Sequence, residues 1–82
     1  MTEPTEQSLR AQWGSNVRRL RLEKGMSQTA LADAAGLAQP HVSRIERGVE
    51  SGSARTQFAL ARALGVEVHD LFTFPTTAEV AS

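Results

Sequence analysis

A chain of 82 residues and 8.9 kDa fits one domain. It has no cysteine, which excludes a disulfide framework and the cysteine-based zinc modules, and its apolar runs are too short to span a bilayer. Formal net charge is zero, but the charge is unevenly spread. Residues 10–62 hold all nine Arg and Lys against only Glu23, Asp33, Glu46 and Glu50, whereas residues 1–9 and 63–82 are acidic. A basic middle suits a polyanionic partner.

Twenty Ala and Leu against seven Val and Ile favour helix over strand, so the expected fold class is all-α. The acidic, polar start MTEPTEQS does not read as a signal peptide, and a cytoplasmic protein is expected. Residues 1–7 and 75–82 read as disordered tails around a folded domain spanning 8–74.

In chain order, Leu9, Trp13, Val17 and Leu20 form one stripe of a first helix, which ends near Lys24 because Gly25 suits the position just past a helix. Ser27 caps a short second helix, Gln28 to Ala35, closed by Gly36. The turn Gly36-Leu37-Ala38 leads to a third helix from Gln39 to about Arg47, with Pro40 in its first turn, where a missing N–H is harmless. Gly48 stops it. After the loop Val49 to Gly52, Ser53 caps a fourth helix to Leu64, with Ala54, Phe58, Ala61 and Leu64 facing inward. Residues 67–72 read as a last short turn of helix, with Leu71 and Val66 over the core. The expectation is a compact bundle of five short helices.

Two short helices joined by a tight glycine turn form a helix-turn-helix pattern. The segments Val17–Gln28 (VRRLRLEKGMSQ), Leu31-Ala32, Gly36-Leu37, Val42–Gly48 (VSRIERG) and Leu60–Val66 (LARALGV) closely resemble the lambda-repressor-like family, also called the XRE type, across about residues 13–72. The resemblance implies a DNA-binding domain whose third helix lies in the major groove. Val42 and Ile45 must face the core, so Gln39, Pro40, Ser43 and Arg44 point outward, flanked by His41 and Arg47. Gln pairs bidentately with adenine, and Arg with guanine. The resemblance implies base reading from Gln39, Pro40 and Arg44, with Ser43 adding a hydroxyl. It implies a phosphate contact from Gln28, at a helix start suited to anions. His41, Arg47 and Arg18 are further candidates for phosphate contact, as are Arg19 and Arg55. It also implies a structural ion pair between Arg21 and Glu46.

The sequence departs from the family pattern at Ala38, which cannot cap; at Ala30, where a capping box wants Glu; at Gln57, usually apolar; and at Glu50, in a loop that often carries Lys or Arg.

No catalytic constellation is present: His41 and His69 are far apart, Asp70 and His69 are neighbours expected to point apart, and there is no phosphate loop or His-Glu-x-x-His. Neither enzymatic activity, metal, cofactor nor small-molecule ligand is expected. The leading reading is a sequence-specific regulator of transcription, a repressor, that binds double-stranded DNA. An antitoxin or adaptor that chiefly holds a protein partner is the alternative, since the family spans phage repressors, restriction–modification controllers and antitoxins. One recognition helix reads few base pairs, so a homodimer on a palindromic operator is expected. Phe72 and Phe74 are the expected self-complementary patch.

Overall fold

The computed structural model describes residues 5–72. Within them the chain forms four α-helices, α1 (Glu6–Glu23), α2 (Gln28–Ala35), α3 (Gln39–Glu46) and α4 (Ala54–Leu64), followed by a 3₁₀ turn at Val68–Phe72. The all-α expectation holds, with the fifth helix reduced to that turn.

Helix α1 starts earlier than the sequence reading placed it. Thr5 caps it by accepting from the Ser8 N–H at 3.0 Å, and Glu6 both complements the helix dipole and pairs with Arg10 at 3.0 Å. Burial along α1 begins only at Trp13, so Leu9, expected on the inward stripe, is exposed. The other boundaries follow the punctuation of the sequence. Ser27 and Ser53 accept from the N–H groups of Ala30 and Thr56, and Gly25, Gly36, Gly48 and Gly65 close α1 to α4 at positive φ, which glycine adopts without strain.

The core comprises Trp13, Val17, Leu31, Ala32, Val42, Ile45, Leu60, Ala61, Leu64 and Leu71, with Val66 packed at its edge. Val42 and Ile45 point inward as expected, which fixes the opposite side of α3 as its outer face. Helix α4 is rotated from its expected orientation. Thr56, Leu60, Ala61 and Leu64 are buried, while Ala54 and Phe58 face outward, Phe58 at 62% exposure. At 100° per residue Phe58 and Leu60 sit about 160° apart, so only one of them can join Leu64 in the core. Thr56 is the polar member of the buried face, its hydroxyl accepting from Ser53 Oγ at 3.3 Å.

Two contacts fix the helices relative to one another. At Gly14 the backbones of α1 and α3 approach so closely that an added Cβ would lie 2.0 Å from the Ile45 carbonyl oxygen. Nearby, the guanidinium of Arg21 grips Glu46 with a fork, Nε to Oε2 at 2.7 Å and Nη2 to Oε1 at 3.0 Å, while Nη1 donates to the Met26 carbonyl at 2.8 Å. Both side chains are buried, and the hydrogen bonding of Arg21 to the Glu46 carboxylate raises the Arg21 pKa above its ordinary value, so the guanidinium stays charged. The ion pair that the family resemblance implied is present.

A third contact was not anticipated. Buried Asn16 donates from Nδ2 to the carbonyls of Asp70 and Leu71, at 3.0 and 2.9 Å, and Arg19 in turn donates to Asn16 Oδ1. Asn16 thereby pins the C-terminal turn to α1. In that turn His69 and Asp70 do not point apart: His69 Nε2 lies 3.4 Å from Asp70 Oδ1. Asp70 is drawn back over the turn because its other oxygen accepts from the Glu67 N–H.

Helix propensity alone makes Gly14→Ala stabilising by about 1 kcal/mol. The approach of Ile45 reverses the sign, and urea unfolding should show a loss of about 2–3 kcal/mol. Unfolding also tests the ion pair. Arg21→Ala and Glu46→Ala should each lower stability by about 3–5 kcal/mol, since each strands a buried charge. The double variant should lose clearly less than the sum, and simple additivity would show that the two groups do not interact.

Candidate nucleic-acid interface

The helix-turn-helix is the α2–turn–α3 unit. Gly36, at φ 70°, ends α2, and the Leu37 N–H returns to the Ala32 carbonyl at 2.8 Å. This sets α3 across α2 with its N-terminus beside that of α2. Ala38, at the cap position of α3, makes no side-chain capping bond, as expected from its missing oxygen.

The N-terminal side chains of the two helices form one hydrogen-bonded chain. Glu46 Oε1, already held by Arg21, accepts from Gln28 Nε2 at 3.1 Å, and Gln28 Oε1 accepts from Gln39 Nε2 at 2.8 Å. The series runs from the buried ion pair out to the first residue of α3. It fixes which way each carboxamide points, because Gln28 must donate to a carboxylate and therefore presents its oxygen to Gln39. Gln39 spends one N–H on Gln28. Its Oε1 and second N–H, the acceptor and donor that adenine requires, have no partner among the described residues.

The remaining residues on the outer side of α3 divide by exposure. Pro40 and Arg44 are exposed, while Ser43 and His41 are half-buried. Arg44 donates through Nε to Glu50 Oε1 at 2.7 Å, and the same oxygen lies 3.8 Å from His41 Nε2. Arg47 folds back along its helix to the Ser43 carbonyl at 3.3 Å. Thus Gln39, Pro40, Ser43 and Arg44 share one face with Gln28 behind them and His41 and Arg47 beside them. Arg18 does not join this group; it lies on the outward side of α1, where with Ser15, Arg19, Leu22 and Glu23 it lines an open groove. Arg19 is held by Glu23 at 3.0 Å, and Arg55 is exposed in the first turn of α4.

Phe72 is only partly available as a surface residue. Its ring stacks on buried Trp13, with centroids 5.6 Å apart and planes at 25°, leaving 43% of the residue exposed. Phe74 lies outside the described residues.

Sequence reasoning missed the Gln28–Gln39 bond and the Arg44–Glu50 bond. The former joins residues 11 apart whose proximity depends on the angle between α2 and α3. The latter had a visible signal, an acidic residue in a loop that the family resemblance makes basic, but its partner could not be named from spacing.

Comparison with known proteins agrees with this geometry. The helix-turn-helix model HTH_3 matches residues 17–71. The HTH-type transcriptional regulator y4dJ of Sinorhizobium fredii is 42% identical over 60 residues, covering 73% of this chain and 78% of that protein. The restriction–modification controller protein C.AhdI of Aeromonas hydrophila superimposes with a TM-score of 0.75 at 38% identity, covering 77% of this chain and 96% of that one. SinR, a master regulator for biofilm formation solved in complex with DNA, superimposes with a TM-score of 0.70 at 34% identity, covering 74% and 98%. With a family model matched over most of its folded length and with these relatives, the chain belongs to the helix-turn-helix family of DNA-binding transcriptional regulators.

Proposed function

We propose that this regulator is a repressor that binds double-stranded DNA as a homodimer on a palindromic operator, reading the major groove with α3. The observation that carries the reading is the outer face of α3. Gln39 and Arg44 are each held by one intramolecular hydrogen bond, and each keeps the pair of polar atoms that a base edge needs. Pro40 and Ser43 complete the base-reading face. Gln28, His41 and Arg47 lie where flanking phosphates would pass, with Arg18 as a more distant phosphate contact. Relatives named as a transcriptional regulator, a restriction–modification controller and a DNA-bound master regulator support the reading. It requires no catalysis, cofactor or small-molecule ligand, and it places the protein in the cytoplasm, where the DNA is. No helix among the described residues is long and apolar enough to cross a membrane.

The dimer rests on the C-terminal aromatic patch. Phe72 offers the part of its ring that Trp13 leaves uncovered, and Phe74, two residues on in the sequence, is the second residue assigned to the proposed interface. The acidic balance of residues 63–82 suits an end turned away from phosphate.

Selection of bound duplexes from a random pool tests function and symmetry together, because a dimer returns a palindrome. On the selected site a dimer making roughly 6–10 phosphate contacts should lose about 10³–10⁵ in affinity between about 50 and 200 mM salt; flat affinity would refute DNA as the partner. Arg44→Ala should cost about 1–3 kcal/mol on that site and flatten the preference at one base pair. Gln28→Ala should weaken every sequence and also blunt the preference read by Gln39, which it releases. If both variants lower selected and random DNA equally, α3 is not the reading element.

Light scattering at micromolar concentration should find a dimer that Phe74→Ser shifts toward monomer. A wild type that stays monomeric even on a palindromic site would end the dimer proposal.

A further inference from the structure

Glu50 sits in a loop where the family resemblance makes a basic residue common, and its carboxylate touches the outer face of α3 at Arg44. Its position is set by backbone geometry. Arg47 is the C-cap of α3, Gly48 follows at φ 77°, and two backbone bonds fold the chain back, Gly48 N–H to the Ile45 carbonyl and Val49 N–H to the Arg44 carbonyl, both 3.0 Å. These are the two bonds of the glycine-closed helix end. Gly48 cannot be replaced without moving the loop, since a Cβ there would lie 2.9 Å from Ala11 Cα. The backbone of the residue before Glu50 is therefore tied to Arg44 itself, and Glu50 reaches the Arg44 side chain directly.

The atom it reaches matters. Glu50 Oε1 accepts from Nε, on the inner edge of the guanidinium, at 2.7 Å. The terminal nitrogens Nη1 and Nη2 have no partner among the described residues. An acid placed to mask Arg44 from DNA would take those terminal nitrogens. An acid on Nε instead restricts the rotamers of a long side chain and leaves its guanine-reading end free. The charge of Glu50 acts on DNA as well. A carboxylate beside the reading face repels phosphate and lowers affinity for every sequence alike, so the charge itself weakens non-specific binding, while any gain in discrimination comes through the positioning of Arg44.

We propose that Glu50 is a specificity-determining positioning residue that acts through Arg44, holding its guanidinium ready for a guanine while its own charge lowers affinity for all DNA. This rests on α3 being the reading element, so the test separates the two claims.

Binding of the full chain is measured on the selected duplex, on each of its single-base-pair variants and on a random duplex, for wild type, R44A, E50A, E50Q and the double variant R44A/E50A. R44A identifies the base pair that Arg44 reads, by loss of a preference of about 5- to 150-fold. E50A should reduce preference at that same base pair by about three- to tenfold and leave the other positions unchanged, while binding random duplex more tightly. E50Q keeps an acceptor oxygen without the charge, so it should retain most of the preference yet also bind random duplex more tightly. In the R44A background, E50A should alter no preference. Undiminished preference in E50A, where R44A abolishes it, overturns the proposal, as does an E50Q that loses preference as fully as E50A. If R44A itself leaves every preference intact, the reading of α3 through Arg44 has failed, and the role of Glu50 with it. Unchanged thermal unfolding of E50A and E50Q shows that the effects arise in binding.

Discussion

The buried carboxylate of Glu46 is the constraint on which the rest of this structure depends. A carboxylate in the core is tolerable only when its charge is paired and its lone pairs are used, and Glu46 takes two donors from Arg21 and one from Gln28. Those partners come from α1 and from the start of α2, while Glu46 closes α3. One side chain thus binds three helices, and it does so directionally, which apolar packing alone does not. The next bond, from Gln39 to Gln28, carries the same constraint to the surface. The core and the reading face are consequently one system: a shift of α1 that loosened Arg21 would release Gln28 and leave Gln39 free to rotate. Side chains that read a base edge must be held by a supporting layer, and for the base reading proposed for Gln39 that layer is the same ion pair that fixes α1 against α3.

Most of the fold was legible because its boundaries are chemical. Serine at 27 and 53 supplies an oxygen to an otherwise unsatisfied N–H, and glycine at 25, 36, 48 and 65 accepts a positive φ; both are local properties that need no knowledge of the partner helix. The inward faces were less secure. Phe58 looked like core because it is large and apolar, but two stripes on α4 share Ala61 and Leu64, and only tertiary packing chooses between Phe58 and Leu60. Gly14 and Asn16 carried only weak signals. A glycine inside a helix hints at close approach, yet nothing local says that the Ile45 carbonyl fills the space. Asn16 reads as an ordinary polar residue until the C-terminal turn arrives beneath it.

The site was legible to a different depth. The identities of Gln39, Pro40, Ser43 and Arg44 as outer residues followed from Val42 and Ile45 facing in, a matter of helical period. Their mutual bonding did not follow, since side-chain hydrogen bonds between elements depend on interhelical angle and on rotamer. Arg18 lies apart from that bonding, on the outward side of α1 beside Ser15, Arg19, Leu22 and Glu23.

The positive charge of the middle segment is also distributed differently from its sum. Arg21 is buried and committed to Glu46, whereas Arg10, Arg19 and Arg44 are paired at the surface with Glu6, Glu23 and Glu50. These two kinds of pairing respond differently to an approaching polyanion. Exposed pairs are worth no more than about 1 kcal/mol, so a phosphate or a base edge can compete for such an arginine, or share it where the terminal nitrogens are free. The buried pair cannot open without stranding a charge in the core, so Arg21 contributes nothing to attraction and everything to placement. On the proposed reading, the electrostatic pull on DNA therefore comes from arginines on the surface, while the register in which α3 would meet its bases is set by the buried Arg21.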